Sequence, residues 1–248
     1  MVLVMFILGL IFGSFFYAAG CRIPLQISII KPRSSCSFCR NPLSYAELIP
    51  VFSFFLQKGR CKSCSQKLSL MYPAAELWTA GLFTAAYLRF GLSGELFVAL
   101  LLISLLSIIA ASDIHYMLIP DSVLMFFLPF LIAGRMIAPL PAWYDSLSGA
   151  AAGFFMLVLI AVLSKGGIGG GDIKLFAVLG IALGVKMLIA AFVLAVFIGM
   201  LYGACGTLSG KLDRKQPIPF APAIAAGSLV SYLYGEEILA LYVKMAMY

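Results

Sequence analysis

The stretch 95–112, ELFVALLLISLLSIIAAS, contains one charged residue in 18 and ends at Asp113. About 20 apolar residues are enough for an α-helix to cross the roughly 30 Å hydrocarbon core of a bilayer. Seven further apolar runs lie at about 1–20, 73–90, 122–139, 146–164, 173–185, 187–208 and 220–235. The sequence therefore predicts an all-α polytopic membrane protein with about eight transmembrane helices, of which the sixth is the shortest.

The composition of the whole chain points to the same class. Of its 248 residues, 63% are hydrophobic and 11% are charged, and the mean hydropathy is +1.07. A soluble domain carries roughly 25% charged residues, and disordered chains are poor in apolar residues. A coiled coil would space its apolar residues in heptads, whereas the runs here are continuous. These comparisons exclude a soluble globular, a disordered and a coiled-coil protein.

The positive charge is concentrated in one segment. The net charge is +7, and residues 22–72 hold eight Lys and Arg against one acid, Glu47. Lys and Arg resist translocation, so we expect this loop on the cytoplasmic side of the cell membrane. Alternating spans then put three further loops on the same side, near 113–121, 165–172 and 209–219, which gathers 13 of the 17 basic residues there, including Lys211, Arg214 and Lys215. Residues 1–20 contain no basic residue, which favours a retained first helix over a secretory signal.

Four of the six cysteines form the pairs Cys36-x-x-Cys39 and Cys61-x-x-Cys64, separated by 21 residues. Two such pairs can present four thiolates tetrahedrally to Zn²⁺, and metal binding would supply folding energy to a loop with little apolar core. The sequence predicts a structural zinc site in a knuckle-like cytoplasmic loop between helices 1 and 2. A disulfide or a redox pair remains an alternative, although reducing surroundings and the lack of a strand-to-helix context disfavour both.

Acidic residues are few, and four lie inside or at the ends of the apolar runs: Glu76, Asp113, Asp121 and Asp172. Ionisable groups at membrane depth are candidates for function. Asp113 closes the run 95–112, and Asp172 follows the glycine-rich stretch 166–171. Two carboxylates held close together share a proton, so that one can deprotonate water while the other protonates an amide carbonyl. We therefore predict Asp113 and Asp172 as the catalytic pair of an aspartic peptidase.

Simpler roles exist for the same acids. Asp172 and Asp121 can each stabilise the start of a helix, because a carboxylate accepts hydrogen bonds from the first free N–H groups. His115 is the single histidine and lies two residues after Asp113. We assign no firm role to His115 or to Glu76.

Read together, these residues resemble the type IV prepilin peptidase family along nearly the whole chain. The matching motifs are Gly13-Ser14-Phe15, Arg22-Ile23-Pro24, Pro32-Arg33-Ser34-x-Cys36, Leu48-Ile49-Pro50, Tyr72-Pro73-x-x-Glu76, Asp113 to Ile119-Pro120-Asp121, Gly169-Gly170-Gly171-Asp172-Ile173-Lys174-Leu175 and Pro219-Phe220-Ala221-Pro222. Two departures are Ser37, where the family often has Pro, and Ala221, where many members have Gly.

The resemblance implies an enzyme of the cell membrane that cleaves the basic leader of prepilin-like proteins after a glycine, on the cytoplasmic side. It also implies methylation of the new N-terminal residue with S-adenosylmethionine. The family's catalytic aspartates match Asp113 and Asp172, and its cysteine loop matches 36–64. Among its members, the chain looks most similar to the late-competence peptidase of Gram-positive bacteria.

The expected partners are prepilin-like substrates and membrane lipid. Nucleic acid is not expected, because aromatic residues are not interleaved with the basic ones. A basic leader would be repelled by the basic loop, so we expect acids such as Asp121, Glu47 and Asp213 to receive it. No Gly-rich Rossmann-type fingerprint locates the methyl-transfer site.

Two other classes of protein remain as alternatives. A transporter also places acids in broken helices, but it would show repeat symmetry that this chain lacks. A catalytically silent, zinc-stapled assembly protein would tolerate replacement of both aspartates. By sequence, the chain divides into helix 1 (1–20), a Cys-rich basic loop (21–72) and a multi-helix peptidase domain (73–248).

Overall fold

The structure is a computed structural model that describes residues 1–31, 33–36, 38–210 and 218–247. Pro32, Ser37 and Tyr248 lie outside the described residues. The segment 211–217 does too, and with it the predictions made for Lys211, Asp213, Arg214 and Lys215.

The described part of the chain is helical, as the sequence predicts. In chain order its helices are α1 (Val2–Arg22), α2 (Phe52–Leu56), α3 (Met71–Phe90), α4 (Gly94–Tyr116), α5 (Asp121–Ile137), α6 (Asp145–Leu163), α7 (Gly170–Leu208) and α8 (Ala221–Ala246). Short 3₁₀ turns occupy Ile23–Leu25 and Tyr45–Leu48. Extended pairing within these residues is limited to the isolated bridges of Ser35 with Pro42 and of Arg60 with Lys67.

Five stretches of helix in the described residues are long and apolar enough to cross a membrane. They are Val2–Leu25, Gly94–Tyr116, Asp145–Leu163, Gly170–Leu208 and Ala221–Met245. A chain with several such helices is a multi-pass membrane protein. Helix α5 has 17 residues, slightly fewer than the roughly 20 that a span needs, and α3 carries Glu76 and Arg89 within its 20 residues.

The chain divides into two compact units, Met1–Gly91 and Leu92–Tyr248. In the first unit, α1 packs along α3 through small residues. A Cβ on Gly9 would lie 2.5 Å from the Cα of Ala80, and one on Gly13 would lie 2.8 Å from the Cα of Glu76. Glycines at these positions therefore allow the two backbones to touch, which is a common way of packing helices in membranes.

In the second unit, α4 forms the centre and packs against α5 and α8. Its side chains Leu102, Ile103, Leu105 and Leu106 are almost completely buried. A helix that is apolar all round is expected in such a central position. Asp113 lies in the last turn of this central helix, so the packing of α4 fixes its position.

Helix α7 folds back on itself at Gly184, whose φ of 70° and ψ of 173° are not helical. The rings of Phe176 and Phe192 have centroids 5.8 Å apart. In a straight helix, 16 residues would separate them by roughly 24 Å. Segments 170–183 and 185–208 are therefore two helical arms lying side by side, and they correspond to the predicted runs 173–185 and 187–208.

Charged side chains from other helices hold the turn at Gly184. Arg135 donates hydrogen bonds to the carbonyl oxygen of Ala182, at the end of the first arm. Oδ1 of Asp145 accepts a 3.2 Å hydrogen bond from the N–H of Val185, at the start of the second arm. The backbone groups freed by the break thus find partners, as an interior position requires.

Candidate active site and metal centre

Asp113 is buried, with 7% of its surface exposed, and lies one turn before the end of α4. That helix ends because Met117 takes the left-handed conformation, with φ 51°, and donates its N–H to the carbonyl oxygen of Asp113 at 2.9 Å. Oδ2 of the Asp113 side chain accepts a 2.8 Å hydrogen bond from the N–H of Ala221. Ala221 is the first residue of α8. The carboxylate therefore lies at the positive end of the α8 dipole, which stabilises its negative charge.

Asp172 is half-buried in the first turn of α7. Its N–H donates to the carbonyl oxygen of Gly169, the residue before the helix, at 3.1 Å. A Cβ on Gly171 would lie only 2.9 Å from the Cβ of Ile119, so glycine is what lets these segments approach. Gly166 has φ 92°, a conformation that side chains disfavour. The glycine-rich stretch thus positions Asp172 next to the connection between α4 and α5.

The structure places the two predicted catalytic acids at the same end of the second unit. Asp113 lies in the last turn of α4, and Asp172 lies in the first turn of α7, beside the connection between α4 and α5. The connection between α6 and α7, the connection between α4 and α5, and the start of α8 all meet at this end.

An ion pair also crosses this end of the unit. Nζ of Lys174 lies 2.6 Å from Oδ2 of Asp121, and both side chains are more than half exposed. Exposed pairs contribute about 0–1 kcal/mol. Asp121, predicted as an acceptor of a basic leader, is therefore already paired within the chain. His115 is exposed, and its ring lies 6.0 Å from that of Tyr116, measured between centroids.

Glu76 stabilises a loop of the first unit. Its Oε2 accepts a 2.7 Å hydrogen bond from the N–H of Val51, and its side chain is buried. Val51 has φ 61°, which is unusual for a β-branched residue. The buried carboxylate thus satisfies the backbone donor of a strained residue and fixes the loop to α3.

Glu47 is engaged locally. Its Oε2 accepts the N–H of Ser44 at 2.9 Å and the hydroxyl of Ser44 at 2.7 Å, which forms a capping box. These hydrogen bonds, the backbone one first, lower the pKa of the Glu47 carboxyl. Glu47, the second predicted acceptor of a leader, therefore has a structural partner as well.

The four knuckle cysteines converge. Their sulfur atoms all lie within 4.8 Å of one another, with 3.8 Å between Cys36 and Cys64 and 4.0 Å between Cys39 and Cys61. Tetrahedral Zn–S bonds of about 2.3 Å would place sulfurs roughly 3.8 Å apart. All four are free thiols, far beyond the ~2.05 Å of a disulfide bond. The cluster is compatible with a metal ion bound by four thiolates.

The four sulfur atoms converge because the backbone forms the same turn at two places, 25 residues apart. The N–H of Leu43 donates to the carbonyl of Ser34, and that of Leu68 to the carbonyl of Gly59, each at 2.8 Å. Inside each turn the N–H of the first cysteine is bonded in the same way, from Cys36 to Asn41 and from Cys61 to Gln66, at 3.0 and 2.9 Å. Arg40 and Ser65 take matching left-handed conformations, with φ 57° and 58°. Two equivalent turns therefore present their thiols to a common point.

The electrostatics of the cluster also favour a cation. The backbone N–H groups of Cys39 and Phe38 lower the pKa of the Cys36 thiol to about 6. The N–H of Gln66 acts in the same direction on Cys64, but burial and the three neighbouring sulfurs raise the pKa of that thiol to about 11. Four thiolates at these distances would repel one another, and a divalent cation at their centre would offset half of their negative charge and reduce that repulsion.

Two family models match the chain in succession. The Bacterial Peptidase A24 N-terminal domain matches residues 7–90, and the Type IV leader peptidase family matches residues 100–204. A prepilin leader peptidase/N-methyltransferase of Bacillus subtilis is 63% identical over 247 residues, which is the full length of both chains. The chain belongs to the type IV leader peptidase family.

More distant leader peptidases align over most of the chain. A prepilin leader peptidase/N-methyltransferase of Myxococcus xanthus is 37% identical over 232 residues, covering 88% of this chain and 68% of that protein. One of Burkholderia pseudomallei is 33% identical over 221 residues, covering 86% and 71%. No solved structure matches the chain. The resemblance predicted from the motifs is confirmed.

The two family models cover different residues of the candidate sites. The N-terminal match covers the four knuckle cysteines and Glu76, and the leader peptidase match covers Asp113, Asp121 and Asp172. Ala221, which bonds to Asp113, follows the end of the second match.

The sequence analysis missed a buried polar cluster at the opposite end of α4 from Asp113. Nη1 of Arg135 lies 2.6 Å from Oε1 of Glu95, and the hydroxyl of Tyr232 donates to the same carboxylate. Arg135 is 7% exposed and also bonds to Ala182. The sequence did contain a signal for this cluster: Glu95 and Arg135 carry opposite charges, and each lies close to one end of an apolar run. The cluster ties α4, α5, α7 and α8 together in this leader peptidase.

Proposed function

We propose that this chain removes the basic leader of prepilin-like proteins after a glycine and then methylates the new N-terminal residue. Curated relatives that are 63%, 37% and 33% identical carry the name prepilin leader peptidase/N-methyltransferase. The observation that carries the chemistry is the placement of Asp113, in the last turn of α4, and Asp172, in the first turn of α7, at the same end of the second unit. Aspartic proteolysis requires two such carboxyl groups.

In the proposed reaction, the ionised member of the Asp113–Asp172 pair takes a proton from a water molecule. That water forms a bond to the carbonyl carbon of the glycine, while the protonated member donates its proton to the carbonyl oxygen. The tetrahedral intermediate then breaks its C–N bond: the leaving amine takes a proton from the protonated member of the pair, and a hydroxyl of the intermediate returns a proton to the other member. The N–H of Ala221 holds Asp113 in place at 2.8 Å throughout.

The glycine-rich stretch 166–171 is proposed to receive the extended backbone around the cleaved bond. Cβ atoms on Gly166 and Gly170 would meet nothing within 4 Å, so there is open space beside these two glycines. An irregular backbone at the membrane border is tolerated where it lines a polar cavity. The stretch leads directly into Asp172.

We propose eight spans, with the Cys-rich loop and both aspartates on the cytoplasmic side. The connection between α4 and α5, the start of α7 and the start of α8 contribute to a single end of the second unit, which supports the alternation. The two arms of α7 count as separate spans in this arrangement. The division into 1–20, 21–72 and 73–248 is proposed as a functional division of the sequence.

We propose zinc as the metal of the four-cysteine cluster. Cys36, Cys39, Cys61 and Cys64 would hold it, and their sulfur spacing fits tetrahedral Zn–S geometry. The role is structural, because four thiolates leave no open position for substrate. Zinc would stabilise the paired turns of this loop.

S-adenosylmethionine is proposed as the methyl donor, and when bound it would supply the methyl group for the α-amine released by cleavage. We assign no residue to its binding. For the substrate, we propose pilin-like proteins of a DNA-uptake apparatus, as for the late-competence peptidase that the sequence resembles. Asp121 and Glu47 would have to exchange their present partners, Lys174 and Ser44, for a basic leader.

The proposal is tested by co-expressing the wild-type chain with a prepilin-like protein in membranes and measuring the N-terminal mass of the product. We expect a product without its leader and with one additional methyl group. An intact substrate would contradict the peptidase assignment. A cleaved product without the methyl group would contradict the second activity only.

A further inference from the structure

Among the described residues, a short segment of the first unit exposes large apolar side chains on its surface. Residues 49–56 contain α2, and within them Phe52, Phe55 and Leu56 are 59%, 68% and 69% exposed. Ile49 is 47% exposed. A contiguous patch of large apolar side chains marks a surface that contacts a membrane or another protein.

The hydrogen bond to Glu76 gives the depth of this segment. The N–H of Val51 donates to Glu76, and Glu76 packs against Gly13 of α1. Gly13 lies nine residues before Arg22, the last residue of α1, which corresponds to roughly 14 Å along the helix axis. Val2–Leu25 is a candidate membrane span, so the start of α2 lies at the depth of that span.

Several backbone N–H groups of residues 49–56 have hydrogen-bond partners within the protein, as an apolar environment requires. Pro50 has no N–H, and the N–H of Val51 is bonded to Glu76. The N–H groups of Ser53 and Phe55 donate to the carbonyls of Ile49 and Val51 at 3.1 and 3.2 Å. Unsatisfied backbone donors are costly in hydrocarbon. Exposed phenyl rings combined with bonded N–H groups are therefore the pattern expected of a segment in lipid.

The basic residues next to the apolar patch favour lipid, rather than an apolar protein surface, as its partner. Directly after α2 the chain places three exposed basic side chains, on Lys58, Arg60 and Lys62. Basic residues near a bilayer surface attract anionic headgroups. The ring of Tyr17, near the end of α1, contacts the ring of Tyr72, near the start of α3, in an edge-to-face arrangement with centroids 4.8 Å apart. Tyrosine is enriched at this level of a membrane.

We propose that residues 49–56 form a re-entrant membrane anchor. Phe52, Phe55 and Leu56 lie among acyl chains of the leaflet that α1 and α3 share, and Lys58, Arg60 and Lys62 contact anionic headgroups. The anchor holds the four-cysteine loop against the bilayer. This assignment is independent of the proposed peptidase activity, because its test requires no substrate cleavage.

The test places a fluorescent reporter in the segment of the full chain. The two native tryptophans are replaced by phenylalanine (Trp78→Phe and Trp143→Phe), and Phe55→Trp supplies the only tryptophan. The protein is reconstituted in phosphatidylcholine vesicles, with or without phosphatidylglycerol, that contain lipids brominated on the acyl chains. We expect bromolipid to quench Trp emission and aqueous iodide to leave it unchanged. Leu56→Trp is a second reporter, in case the first variant does not fold.

A matched control lies on the first cysteine turn, where Phe38 is 64% exposed. We expect iodide, and not bromolipid, to quench a Phe38→Trp reporter. Quenching of the α2 reporters by iodide alone would overturn the proposal, as would equal bromolipid quenching at all three positions. If a prepilin-like substrate abolishes bromolipid quenching at position 55, the patch is a protein-docking surface and the lipid assignment is wrong.

A separate variant tests the proposed contact with anionic headgroups. Replacing Lys58, Arg60 and Lys62 by glutamine removes three positive charges and leaves the apolar patch intact. We expect phosphatidylglycerol to enhance quenching of the Phe55→Trp reporter in the parent chain and to lose this effect in the triple variant. An unchanged dependence on phosphatidylglycerol would contradict the proposed contact with anionic headgroups.

Discussion

The backbone N–H of Ala221 donates a 2.8 Å hydrogen bond to Oδ2 of Asp113, across 108 residues of sequence. The bond joins the last turn of α4 to the first turn of α8. One carboxyl group therefore has two functions in this account: it stabilises the start of a helix and belongs to the proposed catalytic pair. These two functions are separable by choice of substitution.

Asp113→Asn keeps an oxygen that can accept the Ala221 N–H, whereas Asp113→Leu removes the acceptor. We expect the Asn variant to lose at most about 1 kcal/mol of stability, through the weaker interaction with the helix dipole. The Leu variant should lose about 1–3 kcal/mol, because a buried N–H is left without a partner. Thermal unfolding of the purified variants in detergent measures both. Equal losses would contradict a capping role for Asp113.

Cys61→Ser removes one buried ligand of the four-cysteine cluster. We expect the variant to lose most of its bound metal and to unfold at a lower temperature, because metal binding contributes folding energy. Metal analysis of the purified protein and a melting curve measure these effects. Cys205→Ser is the control, since Cys205 is exposed on α7. If Cys61→Ser retains one equivalent of zinc, the four-thiolate site is wrong.

Gly9→Ala tests the close packing of α1 on α3. The added methyl group would lie 2.5 Å from the Cα of Ala80, so the helices must separate. We expect a loss of about 1–3 kcal/mol, measured as a lower melting temperature. Gly81→Ala is the matched control, because a Cβ there would meet nothing within 4 Å. It should be neutral or stabilising by up to about 1 kcal/mol. Similar effects at both positions would argue against the packing.

Arg135→Met leaves the partly buried Glu95 without its cation and the carbonyl of Ala182 without its donor. Breaking a buried ion pair from one side typically costs about 3–5 kcal/mol. Because Glu95 is 35% exposed, we expect a loss below that range, about 1–3 kcal/mol, in thermal unfolding, and a smaller loss when Glu95→Gln is added. Lys186→Met, at an exposed residue next to the same turn, should change stability little. Additive losses in the double variant would contradict the pairing.

Much of this architecture could be predicted from local pattern. Apolar runs as long as 95–112 indicate helices in membranes without knowledge of their neighbours. The two Cys-x-x-Cys pairs also specify much of their own geometry, because each forms the same turn through bonds within ten residues. Even the break in α7 was visible as two separate apolar runs, 173–185 and 187–208.

What local pattern could not supply were contacts between distant residues. The Glu95 hydrogen bond with Tyr232 spans 137 residues, and the Arg135 contact with Ala182 spans 47. The bond from Val51 to Glu76 depends on an unusual backbone conformation of Val51, which its side chain disfavours. Glu76 therefore had no role in the sequence analysis, although its depth in an apolar run had singled it out.

Single-turnover cleavage of a prepilin-like substrate by Asp113→Asn and Asp172→Asn tests the central claim most directly. Wild type and Glu236→Gln, an exposed acid of α8, serve as controls in the same lipid. We predict that each Asn variant folds but cleaves about 10²–10⁴-fold more slowly, because a proton donor or acceptor is missing from the pair. Glu236→Gln should cleave at the wild-type rate. A folded Asp113→Asn or Asp172→Asn variant that cleaves within a few-fold of wild type would contradict the assignment of that aspartate.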